Sequence, residues 1–578
     1  MWKAVRWFGL LTMPSAIFNF FNIGKYKIWP YLLVWTLVNL VQANFTELFH
    51  DEAHYWMFSQ HLAWGYWDHP PAAPVFIFLG TVLFPGEMGV RLFTVLASTA
   101  TIYVLYRVVR PDQLPLFFSL LFSILLIHIG GFMASPDVFL LFFAALFLLV
   151  LRQYLKEDSW KTALLLGLLT TGLAYSKYHG AVFLLFLLIP NWRLIKRLSF
   201  WLIPVLATVL FLPHLYWQYR YDFPTFRYHL IDRGAEVYEW HFVWDYLGGQ
   251  LVVFGPIIGI LILLSAFRRK PADSFERSLK WCMCGILGFF LYRSFFERTE
   301  ANWTATALLP AIYLSYQFVA LRINWQKWVF RLMLPSLLLC GGLRLYFMWD
   351  FLPGKMNPRN EFHGWDQWAE DLSEVADTLP IVFYNSYRNP SKYQFYSNKK
   401  AHTINVWSHS GNQYDLLWEE EEKLQGQSVL LVNEYLPKGI PINPGGLWKT
   451  RYLRVEDFRS YNRLRIKILN PVAEMERGST QELEIVLKNP TTKKVDFSES
   501  TRPVYLYAHV YDGEKVIVKK LAMPGSLNKI NLAPGASVHL KVTLFAPVSP
   551  GNYRYRFTLH IKDLHNGRQA NFYNLLVD

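Results

Sequence analysis

Two carboxylates stand side by side in the segment HDEAHYWMFSQHLAWGYWDHPPAAP, at Asp51 and Glu52, and the same stretch holds Asp68 and four histidines, His50, His54, His61 and His69. An acid pair of this kind can take a proton from a hydroxyl while its neighbour orients the reacting group. No Lys or Arg lies between Thr46 and Val90. The acids therefore have no local countercharge, and carboxylates at the mouth of an apolar run are costly to desolvate and mark a pathway or a site. Asp137, in ASPD, is a further acid at the start of such a run. Structural readings compete with each of these. Asp51 can cap the helix AHYWMFSQHL, Glu52, about 100° round it, can face solvent, and Asp137 can be a first-turn acid favoured by the helix dipole. His54 and His69, with Asp51 or Asp68, are candidates for a divalent metal, although their spacing matches no ligand signature.

The elements that position these residues are apolar. Of 578 residues 53% are hydrophobic and only 17% charged, with 45 Phe, 33 Tyr and 23 Trp, a balance that excludes disordered and fibrous chains and points to a membrane. Apolar runs suited to crossing a hydrocarbon layer of about 30 Å occur near 28–45, 88–108, 113–130, 138–152, 161–176, 179–192, 198–213, 247–267, 279–295, 301–320 and 327–347. That predicts about eleven transmembrane helices, with the short run 72–84 as a re-entrant or interfacial helix and the first residues as a retained interfacial segment. Cys282, Cys284 and Cys340 all lie in apolar runs, so no disulfide framework is implied.

The net charge of +14 could suggest nucleic acid, but the basic residues form short clusters between apolar runs, which is a topology signal. With the N-terminus in the cytoplasm, about twenty Lys and Arg, from Lys3 and Arg6 through Arg268, Arg269 and Lys270 to Arg331, fall on the inner side. About seven fall outside: Arg91, Lys177, Arg220, Arg227, Arg233, Arg293 and Arg298. These exceptions fit an anionic ligand held at the membrane surface; the alternative is ion pairing with Asp222, Asp232, Glu236, Glu297 and Glu300, or snorkelling in the case of Lys177.

Beyond Trp349 the sequence becomes polar. GWDQWAEDLSEVADTLP has helical spacing and SVLLVNEYL suits a buried strand, which predicts a small α/β domain over 349–468. From 469 to 578 the period is two, as in Val538, Leu540, Val542 and Leu544 and in Tyr553 to Ile561, with Asp512-Gly513, Pro534-Gly535 and Pro550-Gly551 turn signals, so an Ig-like β-sandwich is expected.

The stretches DEAHYWMFSQHLAWGYWDHPP, GVRLFTVLAS, ASPD, GLAYSKYHG, PHLYWQYRYDFPTF and TEANWTATALLP resemble the polyprenyl-phosphate-sugar-dependent GT-C glycosyltransferases, the group of protein O-mannosyltransferases and lipid A aminoarabinose transferases. The similarity covers about residues 28–345; the last hundred or so residues have no counterpart in it. The resemblance implies a GT-C-type polytopic bundle over 1–348 that transfers a sugar, with inversion, from a polyprenyl phosphate to a lipid, glycan or protein acceptor on the outer face of a bacterial inner membrane. It implies Asp51 as general base and Glu52 as the group orienting the acceptor. Arg91 and Lys177 would contact the donor phosphate with Asp137 in the same cavity, helped by Arg227 and Arg293, while Tyr66, Asp68, His69 and Glu300 would line the acceptor side. No cofactor is required, a divalent metal at His54 and His69 being optional. A transporter or flippase of a lipid-linked glycan is the alternative, but it predicts ionisable residues at the bilayer midplane and an internal repeat, and the sequence has neither.

Overall fold

The computed structural model describes residues 28–229, 238–352, 359–406, 411–436, 438–442, 449–513, 515–561, 564 and 569–578. The N-terminal segment expected at the interface, and Asp232, Arg233 and Glu236, lie outside them. The chain forms two compact units, Met1–His363 and Gly364–Asp578, so the first extends past the boundary expected at 348, and the two C-terminal domains expected separately cluster as one.

In the first unit the apolar runs become helices α1 (Trp29–Phe45), α2 (His50–Ser59), α3 (Ala72–Leu83), α4 (Gly86–Val109), α5 (Leu114–Phe122), α6 (Leu125–Ile129), α7 (Pro136–Lys156), α8 (Trp160–Ser176), α9 (Gly180–Leu188), α10 (Leu202–Arg220), α11 (His241–Phe254), α12 (Gly259–Arg268), α13 (Ser274–Arg293), α14 (Leu308–Val319) and α15 (Ile323–Met348). Their shared core includes Leu32, Ile102, Phe117, Leu148, Ile262 and Ile312. Many outward apolar side chains, such as Leu33, Val41, Val205 and Leu338, remain exposed, as expected of helices whose outer faces meet lipid.

Among the described residues four segments are long and apolar enough to cross a membrane, Gly86–Val109, Pro136–Lys156, Leu198–Arg220 and Ile323–Met348, or up to six if two bent pairs each count as one span. The eleven runs do not become eleven such helices, for local reasons. Run 113–130 breaks at Ser123 and Ile124 into α5 and α6, 179–192 tightens into a 3-10 turn at Pro190, and 301–320 begins as a 3-10 turn. In run 279–295, α13 is long but its start carries Glu276, Arg277 and Lys280. The bent pairs are α1–α2, at 88°, and α11–α12, at 91°. The second bend needs Gly255, whose φ is +104° and where a Cβ would sit 2.8 Å from the Ser123 carbonyl oxygen, a conformation that favours glycine.

The second unit contains α16 (Trp365–Ala376), α17 (Arg388–Ser397) and α18 (Trp418–Leu424) around a sheet of order β2-β1-β3-β5-β4. Here β1 (Ile381–Tyr384) pairs in parallel with β2 (Ala401–Ile404) and β3 (Val429–Asn433), and β5 (Arg451–Val455) joins β3 and β4 (Ile440–Pro441) antiparallel. Trp365, Trp368 and Leu372, the apolar stripe of α16, pack with Phe383 and Val432 from the strands. The remaining strands are β6 (Arg465–Ile468), β7 (Glu474–Met475), β8 (Thr480–Lys488), β9 (Val495–Asp496), β10 (Val504–Asp512), β11 (Lys515–Leu521), β12 (Asn531–Leu532), β13 (Ser537–Phe545), β14 (Gly551–Ile561) and β15 (Tyr573–Val577). They build sheets of order β11-β10-β14-β15-β7 and β13-β8-β6, with a β12-β9 ribbon. The predicted alternation holds: Tyr555, Phe557 and Leu559 face Val542 and Leu544 in one core.

Glu421 of α18 is buried, its Oε1 accepting the Ser460 hydroxyl proton at 2.5 Å. Burial is the main cause that lifts its carboxyl from about 4.5 to about 7, against the pull of that hydrogen bond. A folded-state value above the unfolded one means that Glu421 contributes fully below about pH 4.5 and loses that contribution as pH rises through 7. Glu421→Gln should therefore slow hydrogen exchange in α18 and β3 of the intact protein at pH 8 and leave it unchanged at pH 5; equal effects at both pH values would contradict the assignment.

Candidate active site

The site begins at the corner between α1 and α2. Phe49, in extended conformation, caps α2, and Glu52 at the third helical position accepts the Phe49 backbone N–H at 2.9 Å. Glu52 is fully buried. Its two oxygens also accept from Arg91 Nε and Nη2, both at 2.7 Å, and from the Ala134 backbone N–H at 2.8 Å. Arg91, on α4 and equally buried, directs its other donors to the carbonyls of Ala43, Thr46 and Glu47. All five guanidinium N–H groups thus have protein acceptors.

Two expectations change here. Glu52 was expected to orient an acceptor, and Arg91 to grip a donor phosphate; instead each uses its hydrogen-bonding capacity on the other and on the backbone around the corner. Asp51, one residue away, is half-buried, and its neighbour His50 donates through Nε2 to the Glu361 carboxylate at 2.8 Å.

Three residues beyond Ala134, Asp137 opens α7 and is buried. Lys177, in extended conformation at the end of α8, places Nζ 2.8 and 2.9 Å from the two Asp137 oxygens, and Asn302 Nδ2 donates to Oδ2 at 2.7 Å. Two of the three ammonium N–H groups are thereby directed at Asp137, and the third has no protein acceptor among the described residues. The sequence brought Asp137 and Lys177 forward but not Asn302. Its signal was the resemblance of TEANWTATALLP, within which no residue stood out by charge.

The loop after α2 is folded by Tyr66. Its ring stacks on Phe58 at 4.4 Å, its hydroxyl donates to the Phe58 carbonyl and accepts from Ala63 N–H, both at 3.2 Å, and it is fully buried. Tyr66 is therefore a loop-folding residue rather than a cavity wall. Burial raises its phenol well above the ordinary range. His214 Nδ1–H donates to the Trp64 carbonyl at 2.6 Å, which leaves Nε2 to accept from the Tyr178 hydroxyl at 2.9 Å. Thr225 accepts from Gln218 at 2.6 Å and donates to the Tyr66 carbonyl at 2.9 Å. None of these four partners was singled out from sequence, because neutral polar residues in aromatic-rich segments carry no charge signal.

Asp68 and His69 meet at 3.0 Å. Burial alone would raise the Asp68 carboxyl, but His69, with lesser help from His54 and His229, holds it below its ordinary value. Burial lowers His54 to about 4 despite Asp68. Among the described residues no three His, Cys, Asp or Glu side chains converge as a metal site requires, so His54 and His69 do not form the expected metal pair there.

Three of the remaining outside cations are paired. Arg227 meets Asp222 at 2.6 Å, Arg293 meets Glu297 at 2.5 Å, and Arg298 approaches Glu300 at 3.8 Å. Arg227, Asp222 and Glu300 are well exposed, and such pairs contribute little to stability; the ion-pair reading applies to Arg227 and Arg293 in place of phosphate contact. A residue the sequence reading missed is Arg344 of α15, buried with Asn39 Oδ1 at 2.6 Å, Gln42 Oε1 at 3.2 Å and His128. Its signal was available: an arginine inside an apolar run is costly enough to be informative. Arg344 and Arg91 both lie over the Phe132 ring, at 5.4 and 5.7 Å.

The chain is similar in part to known proteins. Residues 68–217 match the dolichyl-phosphate-mannose-protein mannosyltransferase family, a stretch that includes Asp68, Arg91, Asp137 and Lys177. The lipid A galacturonosyltransferase RgtD of Rhizobium johnstonii is 29% identical over 318 residues, 51% of this chain and 65% of RgtD, so the chain spans just under two thirds of that relative. The crystal structure of ArnT from Cupriavidus metallidurans in the apo state superposes with a TM-score of 0.52 at 15% identity, covering 72% of this chain and 93% of ArnT. ArnT bound to undecaprenyl phosphate gives 0.53 at 14%, covering 70% and 93%. The fold is thus similar to that of ArnT, and the segment 68–217 is similar to the dolichyl-phosphate-mannose-protein mannosyltransferase family.

If Glu52–Arg91 is the structural pair described, removing one partner strands a buried charge at a cost of about 3–5 kcal/mol. Glu52→Gln and Arg91→Lys should both lower the thermal midpoint of the purified protein sharply, whereas Asp222→Asn, at an exposed pair, should shift it little. Wild-type stability in Glu52→Gln would contradict the clamp.

Proposed function

We propose that the protein is an inverting glycosyltransferase that moves a sugar from a polyprenyl-phosphate donor to an acceptor, lipid A in the favoured case, on the outer face of a bacterial cytoplasmic membrane. The observation that carries this reading is the acid pair at the α1–α2 corner, where Glu52 is fully engaged in holding the fold and Asp51 stands next to it, half-buried, in a chain with the ArnT fold. RgtD, by its name a lipid A modifier, supports the acceptor; the distribution of basic residues supports a cytoplasmic N-terminus and extracytoplasmic C-terminal domains.

In this reading Asp51 takes the proton of an acceptor hydroxyl as its oxygen attacks the anomeric carbon. The bond from that carbon to the phosphate oxygen breaks, and the electron pair leaves with the polyprenyl phosphate. The third N–H of Lys177 is the group suited to the phosphate, because Asp137 and Asn302 hold the ammonium in place while leaving that donor uncommitted. Tyr178, adjacent in the chain, ties this segment through His214 to the loop that follows α2.

Asp51→Asn is nearly isosteric and removes only the base, so turnover of purified enzyme with lipid-linked sugar should fall about 10² to 10⁴-fold with donor binding retained. Full turnover would reject Asp51 as base. Lys177→Ala should instead weaken binding of undecaprenyl phosphate tenfold or more; unchanged affinity would assign Lys177 to structure alone.

A further inference from the structure

The two faces of the sandwich's five-stranded sheet differ in kind. One supplies Leu506, Ala508, Val510, Tyr555 and Phe557 to the core. Residues directly opposite one another on antiparallel strands project to the same side, so the register Tyr511↔Arg554, His509↔Arg556, Tyr507↔Thr558 and Tyr505↔His560 defines the other face. Strand β11 adds Lys519 opposite His509, and β15 adds Asn574 opposite Arg554. None of these positions is acidic. The cations lie instead over aromatic rings: Arg556 and Arg554 at 4.3 and 4.7 Å from the Phe572 centroid, and Lys519 at 5.3 Å from Tyr507.

At one edge this face opens into a cavity of about 470 Å³ lined by Tyr511, Asn552, Arg554 and Asn574 among others, a volume typical of small-ligand sites, roughly 300–1,000 Å³. Arg554 gives one N–H to the Gly513 carbonyl at 3.0 Å; among the described residues neither it nor Lys519 has a carboxylate partner. Thr558, fully buried on the same face, has a hydroxyl without a hydrogen-bond partner. Burial, and then Lys519, Arg556 and His560, push His509 down to about 3.

We infer that the cavity at the edge of this face is a binding site for an anionic saccharide. Aromatic side chains suit the C–H faces of sugar rings, the Asn552 and Asn574 amides suit hydroxyl pairs, and an arginine fork with unused donors suits a carboxylate or phosphate. A neutral sugar does not call for the cations, and a bare anion does not call for the amides and rings. The site is separate in sequence and in compact unit from Asp51 and Lys177, and it does not depend on the transferase reading.

The test uses the full-length protein in zwitterionic nanodiscs. The probes are a fluorescent galacturonic acid hexamer and a phosphorylated mannan oligosaccharide, as the two anion sources, with the fully methyl-esterified hexamer as the uncharged control. At least one anionic probe should bind saturably, and the one that does names the anion. Its affinity should fall tenfold or more in Arg554→Ala and in Lys519→Ala, while Lys541→Ala, on the opposite sheet, and Asp51→Asn should bind as wild type. Because Arg554 is only half-buried, its replacement should leave the thermal midpoint in place. The proposal is overturned if neither anion binds, if the ester binds as well as the acid, if both face variants retain wild-type affinity, or if phosphatidylglycerol vesicles displace the saccharide and bind in its place.

Discussion

Everything around the α1–α2 corner depends on one buried ion pair. Glu52 and Arg91 are 39 positions apart and both fully enclosed, a situation that is favourable only if every remaining donor and acceptor is also matched. They are matched: the carboxylate takes four hydrogen bonds and the guanidinium gives five, to the end of α1, the start of α2 and the segment before α7. The pair is thus less a bond between two residues than the point at which four chain segments acquire a common geometry. Asp51 inherits its position from that point.

The same logic orders the rest of the polar interior. Asp137 neutralises Lys177, and Asn302 completes the second oxygen's bonding. Arg344 is different in that its side-chain partners among the described residues are neutral amides and an imidazole, with no carboxylate among them to offset its charge. Exposed pairs such as Arg227–Asp222 are by contrast screened by water and add little.

Charge and periodicity made much of this legible in advance. The acids of the first loop, the cations against the topological bias and the two-residue alternation of the sandwich all mark what the structure places there. What stayed hidden was pairing. Nothing local to Glu52 announces that Arg91 will meet it, and nothing in Asn302 distinguishes it from other asparagines; both relations exist only once the helices are packed. The number of long helices was equally opaque, because hydropathy sums over a run and does not register where Ser123 or Pro190 interrupts the backbone bonds. Arg344 was readable in principle, as a charge in an apolar run, but topology alone assigned it no task.

The right-angle corner has a geometric consequence of its own. Because α2 turns 88° from α1, the two helices measure distance along perpendicular axes, each at about 1.5 Å per residue. Adding residues to α1 would raise or lower the corner like a post, and adding residues within the Thr46–Phe49 link would swing α2 like an arm, each with little effect on the other. Elevation and bearing of the acidic residue are therefore set by different stretches of chain, so that the direction in which it points and the height at which it stands can change independently.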